Sequence, residues 1–383
     1  MRDAGGVTRR SFLAGAAVVA GAGLVGGLPE ALAAEVPVRG GSPESLRGGT
    51  PDPPRTSAAS DAAGQETRRA TSALAAPGKS RVVVIRHEAL AAEGQGGQGP
   101  APERVRELLD EAVKTLTADA KAADAWARWF KPTDRVGIKV NCLGYVTRPA
   151  VALATAAGLG AIGLAPQQAI IWDRTSDDLR RAGYDLGNAT KAPRCFGTDA
   201  LGDRGTAGYG AEIITSGGIG SFFSRIVTDE ATALVSACIL KDHNLAGLSC
   251  AMKNFFGAIH NPNKYHDNGC DPFIADVCAA PPIRDRLRLV VCDALRPQYN
   301  GGPPGRPQWQ WAYGGLIVST DPVALDRVAL EILEKKRAAA GLKPLEAEKR
   351  PARYLASAQA RGLGTADLAS IEVVSIGKPW NEI

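Results

Sequence analysis

Three of the four histidines of the chain, His243, His260 and His266, lie in one short segment between Lys241 and Cys270. The same segment contains Lys253, Asn254 and Asp267. Imidazoles near a carboxylate suit a divalent transition metal or acid–base catalysis. The histidine spacing matches no closed zinc-site pattern. The segment therefore predicts either a metal site formed by the three histidines or a site where they bond loop backbone or bind an anion with the lysines.

A lysine inside an apolar strand is the second chemical signal. Lys139 stands between Ile138 and Val140, and a buried lysine without a partner costs several kcal/mol. It therefore either faces solvent on an edge strand or is paired within a site. Lys253 and Asn254 fall in an apolar stretch, 249–259, which predicts a short helix whose polar groups could reach a carboxylate or phosphate. The candidate catalytic residues are Lys139, Asn141, Lys241, His243, Lys253 and Asn254.

These polar residues follow predicted strands. Ligands of parallel α/β sheets bind in the crevice outside the carboxyl ends of the strands, so five such ends could contribute to one polar cleft. Asp173 and Asp321 could instead cap the helices that follow them, and Asp321 precedes Pro322, a typical helix start. The strand-end residues are Lys139, Asn141, Cys142, Asp173, Arg174, Lys241, Asp242, His243, Asp293, Thr320 and Asp321.

The elements that position these residues alternate between strand and helix patterns. Apolar runs predict strands at 81–86, 135–140, 169–172, 211–215, 233–240, 287–292, 315–319 and 371–376. Helical spacing of apolar residues predicts helices at 102–118, 149–159, 177–182 and 322–336. Continuous apolar strands separated by helices indicate an α/β fold, with a mostly parallel sheet and helices on both faces. The glycines at 217–220 predict a turn, and Gly301–Gly305 predicts a loop that could cover the cleft.

Composition and motifs exclude several functions. The 45 basic and 40 acidic residues are interspersed and give a net charge of +5, which argues against nucleic-acid binding. The chain has no Walker loop, dinucleotide fingerprint or nucleophile elbow. Its seven cysteines form no C-x-x-C and lack ferredoxin spacing, so an iron–sulfur cluster is not expected. Cys238 and Cys292 lie in apolar strands, where a free cysteine usually acts as a small core residue; the odd cysteine count leaves at least one thiol unpaired or ligating.

The N-terminus predicts export. Arg9 and Arg10 precede Phe12 and Leu13, an apolar uncharged run extends to Leu28, and an A-x-A cleavage site ends near Ala34. This order is that of a twin-arginine signal peptide at 1–34, so the translocation machinery is the expected partner and the location is periplasmic or extracellular. The apolar run is too short to span a membrane, and we expect no span after cleavage. Residues 35–79 predict a disordered linker, and 80–383 the folded domain.

Motifs along residues 80–378 resemble the DUF362 family of bacterial and archaeal proteins, which is named for its unknown function. The resemblance rests on residues 137–144 (GIKVNCLG), 170–174 with 179–184, 240–261, His266, 291–303 and 319–329, in family order. Some members carry ferredoxin-type cysteine clusters, but this chain does not, so that property does not carry over. The resemblance implies an α/β domain with shared motif positions at Lys139, Asn141, Asp173, Lys241, His243, Lys253, Asn254, His266, Asp293 and Asp321.

Three functional hypotheses follow. The first is an exported, metal-dependent enzyme acting on a small anionic substrate, with the histidines as ligands or acid–base groups and the lysines neutralising the substrate. The second is a non-catalytic protein that binds a solute or a metal in the same cleft. A redox role for exposed cysteines is a third alternative, but the chain lacks the C-x-x-C that would support it.

Overall fold

The computed structural model describes residues 79–88, 90, 100–188, 190–202 and 208–383. The predicted signal peptide, 1–34, and all but the last residue of the predicted linker, 35–79, lie outside the described residues. Both therefore remain predictions from the sequence.

One mixed sheet organises the described chain. Its order is β11-β1-β10-β9-β7-β2-β3-β4, and β8 pairs with β7. The strands β9, β7, β2, β3 and β4 form a parallel block. The strands are β1 (Ser80–Arg86), β2 (Val136–Val140), β3 (Ala169–Trp172), β4 (Arg194–Cys195), β5 (Ile214–Ser216), β6 (Ile219–Ser221), β7 (Ala233–His243), β8 (Gly247–Ser249), β9 (Leu287–Gln298), β10 (Gly315–Ser319) and β11 (Ile371–Gly377).

Helices cover both faces of this sheet, which confirms the predicted α/β class. Side chains alternate across a strand: Val83 and Ile85 of β1 join one core cluster, and Val82 and Val84 join another on the opposite face. The helices are α1 (Pro102–Thr117), α2 (Ala122–Ala127), α3 (Pro149–Gly160), α4 (Ser176–Arg181), α5 (Phe273–Ala279), α6 (Pro281–Arg284), α7 (Pro322–Ala339) and α8 (Tyr354–Ala360). The first cluster contains residues of α1 and α3, and the second contains residues of α7.

Strand direction corrects one prediction. β10 pairs antiparallel with both β1 and β9, so its carboxyl end lies at the opposite edge from those of the parallel block. Asp321 therefore does not reach the predicted cleft. Its carboxylate instead accepts hydrogen bonds from the backbone N–H groups of Val323 and Ala324 at 2.9 and 2.8 Å and caps α7.

Other differences concern element bounds. The predicted strand 211–215 is instead part of a small hairpin of β5 and β6, separate from the large sheet, and its turn begins at Gly217 as predicted. The predicted helix 249–259 is the end of β8 followed by a 3₁₀ helix, Lys253–Ala258. β7 and β9 continue beyond residues 240 and 292 because their polar residues still pair in the ladder: Lys241 pairs with Ser249 of β8 and with Gln298 of β9.

No helix among the described residues is both long and apolar enough to cross a membrane.

Candidate functional site

The carboxyl ends of β2, β3 and β7 bring several predicted site residues together. These strands are parallel neighbours, so their ends meet at one edge of the sheet. Lys139 lies near the end of β2, Asp173 follows β3, and Lys241 and His243 lie in the last part of β7. Asn254 and Lys253 approach the same edge from the 3₁₀ helix that follows β8.

Lys139 is paired inside the protein, which is one of the two arrangements predicted from the sequence. Its Nζ donates to Asp173 Oδ1 at 2.7 Å and to the Val140 carbonyl at 2.5 Å. Asn254 Nδ2 donates to the Lys139 carbonyl at 2.8 Å. The lysine side chain is 1% exposed, so this ion pair is dry. Its charge is neutralised by Asp173, and its role is to tie β2 to β3 and to the 3₁₀ helix.

Gly257 shows how closely the 3₁₀ helix packs on this ion pair. A Cβ at Gly257 would lie 2.6 Å from both Asp173 Oδ1 and Lys139 Nζ. Real Cβ atoms do not approach polar atoms so closely. A residue without a side chain is therefore required at position 257. The glycine lets the 3₁₀ helix, which carries Lys253, lie in contact with Lys139 of β2.

Lys241 organises the loop after β2. Its Nζ donates to Asn141 Oδ1 at 3.0 Å and to the carbonyls of Leu143 and Tyr145, both at 2.7 Å. Burial, with repulsion from Lys253, lowers the pKa of Lys241 to about 7. Carbonyl and amide oxygens satisfy its donors, but within the described residues no carboxylate forms an ion pair with it.

Lys253, His266 and His243 form the centre of the site. Lys253 Nζ lies 3.2 Å from His266 Nε2, and His266 Nδ1 lies 2.9 Å from the Pro262 carbonyl. A carbonyl only accepts, so Nδ1 carries the His266 proton and Nε2 accepts from the lysine. The rings of His243 and His266 stack with centroids 5.8 Å apart. A cation and two imidazoles therefore share one small space.

The proton on His243 is placed in the same way. Its Nδ1 accepts from the backbone N–H groups of Leu245 and Ala246 at 3.2 and 3.3 Å. Its Nε2 must then carry the proton of the neutral ring, and no described group accepts that proton. Burial, together with Lys253 and His266, lowers the pKa of His243 to about 2. The imidazole is thus neutral at any ordinary pH.

Lys253 is a buried cation that no described carboxylate neutralises. It is 7% exposed; its ammonium lies 3.2 Å from His266 Nε2 and 4.3 Å from the centroid of the Phe256 ring, and the Cys270 thiol is a further neighbour. Burial lowers its pKa to about 8. Near neutral pH the site therefore holds excess positive charge.

His260 does not join the other two histidines. Its side chain is exposed, and its ring packs edge-on against Tyr209, with centroids 5.1 Å apart, and against Phe222. Tyr209 also lines a cavity of about 580 Å³ that His243 and His266 do not line. Among the described residues, the structure does not assemble His243, His260 and His266 into a three-histidine metal site.

The remaining acidic residues of the predicted cleft hold loops in place. Asp242 Oδ1 accepts from the Gly302 N–H at 2.7 Å and Oδ2 from Arg350 at 2.8 Å. The Gly301–Gly305 loop is thereby fastened beside the site, and the Pro303 carbonyl accepts from the Tyr145 N–H at 3.0 Å.

Asp293 is likewise engaged in a buried ion pair. It lies inside β9, is fully buried, and binds Arg148 Nη1 through both carboxylate oxygens, at 2.8 and 2.9 Å. Arg148 is the residue before α3. Asp293 therefore positions the start of that helix and does not contribute a free carboxylate to the site.

A cluster that sequence reasoning missed is formed by Cys238, Cys250 and Cys292, the thiol triad. The Sγ atoms of Cys238 and Cys250 are 3.6 Å apart, and those of Cys250 and Cys292 are 3.5 Å apart. Cys238 and Cys292 are direct partners in the parallel pairing of β7 and β9. The apolar runs around Cys238 and Cys292 predicted that both are core residues. Only the register of the two strands shows that they are neighbours, and the register cannot be read from the sequence.

Comparison with known families identifies the chain. The family model described as "Domain of unknown function (DUF362)" matches residues 136–331, just over half of the chain, and the chain belongs to this family. The match covers every predicted site residue, from Lys139 to His266. Comparisons with curated proteins and with solved structures find no match.

Proposed function

We propose that this DUF362 protein is exported by the twin-arginine pathway and binds a small anionic ligand at Lys253, His243 and His266. One observation carries the binding proposal: Lys253 and Lys241 are both buried, the charge of Lys253 repels that of Lys241, and no described carboxylate forms an ion pair with either. Buried charges in proteins are normally paired. A ligand anion supplies the charge that the site lacks.

The donors around Lys253 suit an oxyanion. The ammonium has three donors, one of which His266 Nε2 accepts, and His243 offers its Nε2–H. Hydrogen bonds to a charged group are the strong ones. A carboxylate or a phosphate presents oxygens to several donors at once, so these are the ligand classes that we expect.

The same geometry argues against a cation at this centre. His266 Nε2, the nitrogen that a metal would need, accepts from the Lys253 ammonium. A metal ion here would meet the positive charges of Lys253 and Lys241. The site therefore favours the anion-binding alternative of the sequence hypotheses over the histidine-metal alternative.

The binding proposal is tested with the folded mature chain by isothermal titration with phosphate, sulfate and short mono- and dicarboxylates. Lys253→Met removes the central charge. Lys264→Met is the matched control, because Lys264 is exposed and, among the described residues, contacts the Gly220 carbonyl and the Tyr265 ring. We expect an anion of this panel to bind the wild type and the control but not Lys253→Met. Equal binding by both variants would contradict the assignment.

An enzyme is the second candidate, and the Lys253–His266 hydrogen bond favours it. An amine whose pKa is about 8 is suited to proton transfer near neutral pH, and a histidine in contact with it can relay the proton. Each anion that binds is therefore incubated with the protein and analysed by mass spectrometry. Conversion that is lost in His266→Asn, with binding retained, supports the enzyme; recovery of every ligand unchanged supports a pure binding protein.

The export proposal rests on Arg9, Arg10 and the apolar run that follows them. It is tested by fractionating cells that produce the full chain or the variant with both arginines replaced by lysine. The wild type should be found outside the cytoplasm, and the variant should remain inside. Unchanged export of the variant contradicts the twin-arginine route.

A further inference from the structure

The thiol triad lies in a dry part of the core, between the sheet and α7. Cys238 belongs to β7, Cys292 to the neighbouring β9, and Cys250 follows β8. All three are at most 1% exposed, and their cluster contains Leu325 and Val328 of α7. The cysteines come from separate elements, yet their sulfurs are in contact.

The position of Cys250 is fixed from outside the sheet. Asp326 of α7 accepts from the backbone N–H groups of Ala251 and Met252 at 2.7 and 3.2 Å, and from the Tyr354 hydroxyl at 2.9 Å. These bonds hold the turn that carries Cys250 against the two strands. Groups that orient ligating residues in this way are typical of metal sites.

The sulfur geometry is close to that of a thiolate metal centre. With metal–sulfur bonds of about 2.3 Å, as for zinc, sulfurs of a tetrahedral or trigonal centre lie roughly 3.8–4.0 Å apart. The Cys250 sulfur, at 3.6 and 3.5 Å from the other two, therefore needs to move away from each by only about 0.2–0.5 Å on binding. The Cys238 and Cys292 sulfurs lie within 4.8 Å of each other. The backbone already has the arrangement that a metal would need.

We propose that the thiol triad binds a soft monovalent ion, Cu(I), through three sulfur ligands. Thiolates select soft ions such as Cu(I) and zinc. Zinc almost always takes four ligands, but among the described residues no fourth His, Cys, Asp or Glu donor lies within 4.8 Å of all three sulfurs. The Asp326 carboxylate, which lies beside Cys250, is bonded to Ala251, Met252 and Tyr354. The burial of the three sulfurs also leaves no exposed face for water. Three-coordination therefore favours Cu(I). Each thiol that ligates it releases its proton to solvent before the core closes, so the bound complex carries a net charge of −2.

Burial of the triad decides how the site is tested. The ion must enter before the core closes, so the full chain is produced in copper-supplemented cells or refolded with Cu(I) under anaerobic conditions. Copper content is measured by elemental analysis, and the number of sulfur ligands by X-ray absorption. A parallel sample is refolded with Zn²⁺.

The variants separate ligation from folding. Cys238→Ala combined with Cys292→Ala removes two ligands, and Cys250→Ala removes the one outside the central strands, where the risk to folding is smaller. Cys195→Ala is the matched control, since Cys195 is also buried and lies outside the triad. Urea unfolding without metal shows which variants fold.

We expect stoichiometric copper, bound by sulfur alone, in the wild type and in Cys195→Ala. A folded triad variant should bind copper at least roughly tenfold more weakly. Copper that all folded variants retain equally, or that the wild type does not bind, overturns the site. Stoichiometric Zn²⁺ at these thiolates in a sample that rejects Cu(I) overturns the three-coordinate assignment. The anion site shares no residue with the triad, so either proposal can fail without the other.

Discussion

Replacing Lys253 by methionine should make the free protein more stable while removing its ligand binding. Lys253 is a buried ammonium that no carboxylate of the described residues pairs with, and methionine has a similar length and no charge. Methionine keeps an apolar side chain of this length, so the substitution removes the desolvation cost and gives up only the ammonium's contacts with His266 and the Phe256 ring. Function and stability are thus in conflict at this position.

The magnitude follows from the pKa. Burial lowers the pKa of Lys253 from 10.5 to about 8, and each pKa unit corresponds to about 1.4 kcal/mol. Holding the ammonium in the fold therefore costs about 3 kcal/mol. In domains of 150–250 residues, a gain of 1 kcal/mol raises Tm by roughly 2–4 °C. We expect Lys253→Met to unfold several degrees above the wild type.

The stability difference between Lys253→Met and the wild type depends on pH. Below pH 8 both folded and unfolded chains are protonated at Lys253, so the wild type bears the full cost. Between pH 8 and 10.5 only the unfolded chain keeps the proton, so the stability of the wild type rises with pH. The advantage of Lys253→Met should therefore shrink over this range and vanish above it.

Urea unfolding of both proteins between pH 6 and about 10.5 measures this difference. Lys241→Met is the contrasting variant, because Lys241 donates to Asn141 and to the Leu143 and Tyr145 carbonyls, and its loss leaves three part-buried acceptors unpaired. It should destabilise the protein. Lower stability of Lys253→Met at neutral pH, or a difference that does not vary with pH, would refute the argument that Lys253 is an uncompensated buried cation.

Three further predictions concern the same edge of the sheet. Affinity for the anion should fall about tenfold per pH unit above pH 8, because Lys253 loses its proton there. Titration calorimetry at several pH values measures this affinity, and a flat profile would show that the proton is not required. Lys139→Met and Asp173→Asn should each cost about 3–5 kcal/mol in urea unfolding, and the double variant less than their sum, because each single change leaves a buried charge unpaired; additive losses would argue against the pair. Gly257→Ala should destabilise by roughly 1–3 kcal/mol, since its Cβ would meet both members of that pair, while Gly160→Ala, with open space around its Cβ, should not.

Local patterns predicted most of the elements. The apolar runs of β1, β2 and β3 and the periodicity of α1 and α7 appear within a few residues of their predicted bounds, because strand and helix patterns depend on neighbours in sequence. Polar residues misled the strand bounds: Lys241, Asp242 and Asp293 looked like loop residues, yet they lie inside β7 and β9. Tertiary partners satisfy them, so they could remain in a buried strand.

The sequence by itself determined the α/β class, the family motifs and a set of polar residues that follow strands. It also singled out Lys139 as a lysine that needs a partner if it is buried, because burying an unpaired charge is costly whichever group the partner proves to be. Only the tertiary structure decided that Asp173 is this partner, that His260 lies apart from His243 and His266, and that β10 carries Asp321 to the opposite edge. It also brought the thiol triad together. Strand direction and register join residues far apart in the chain, and those pairings depend on the energy of the whole sheet, which no local pattern contains.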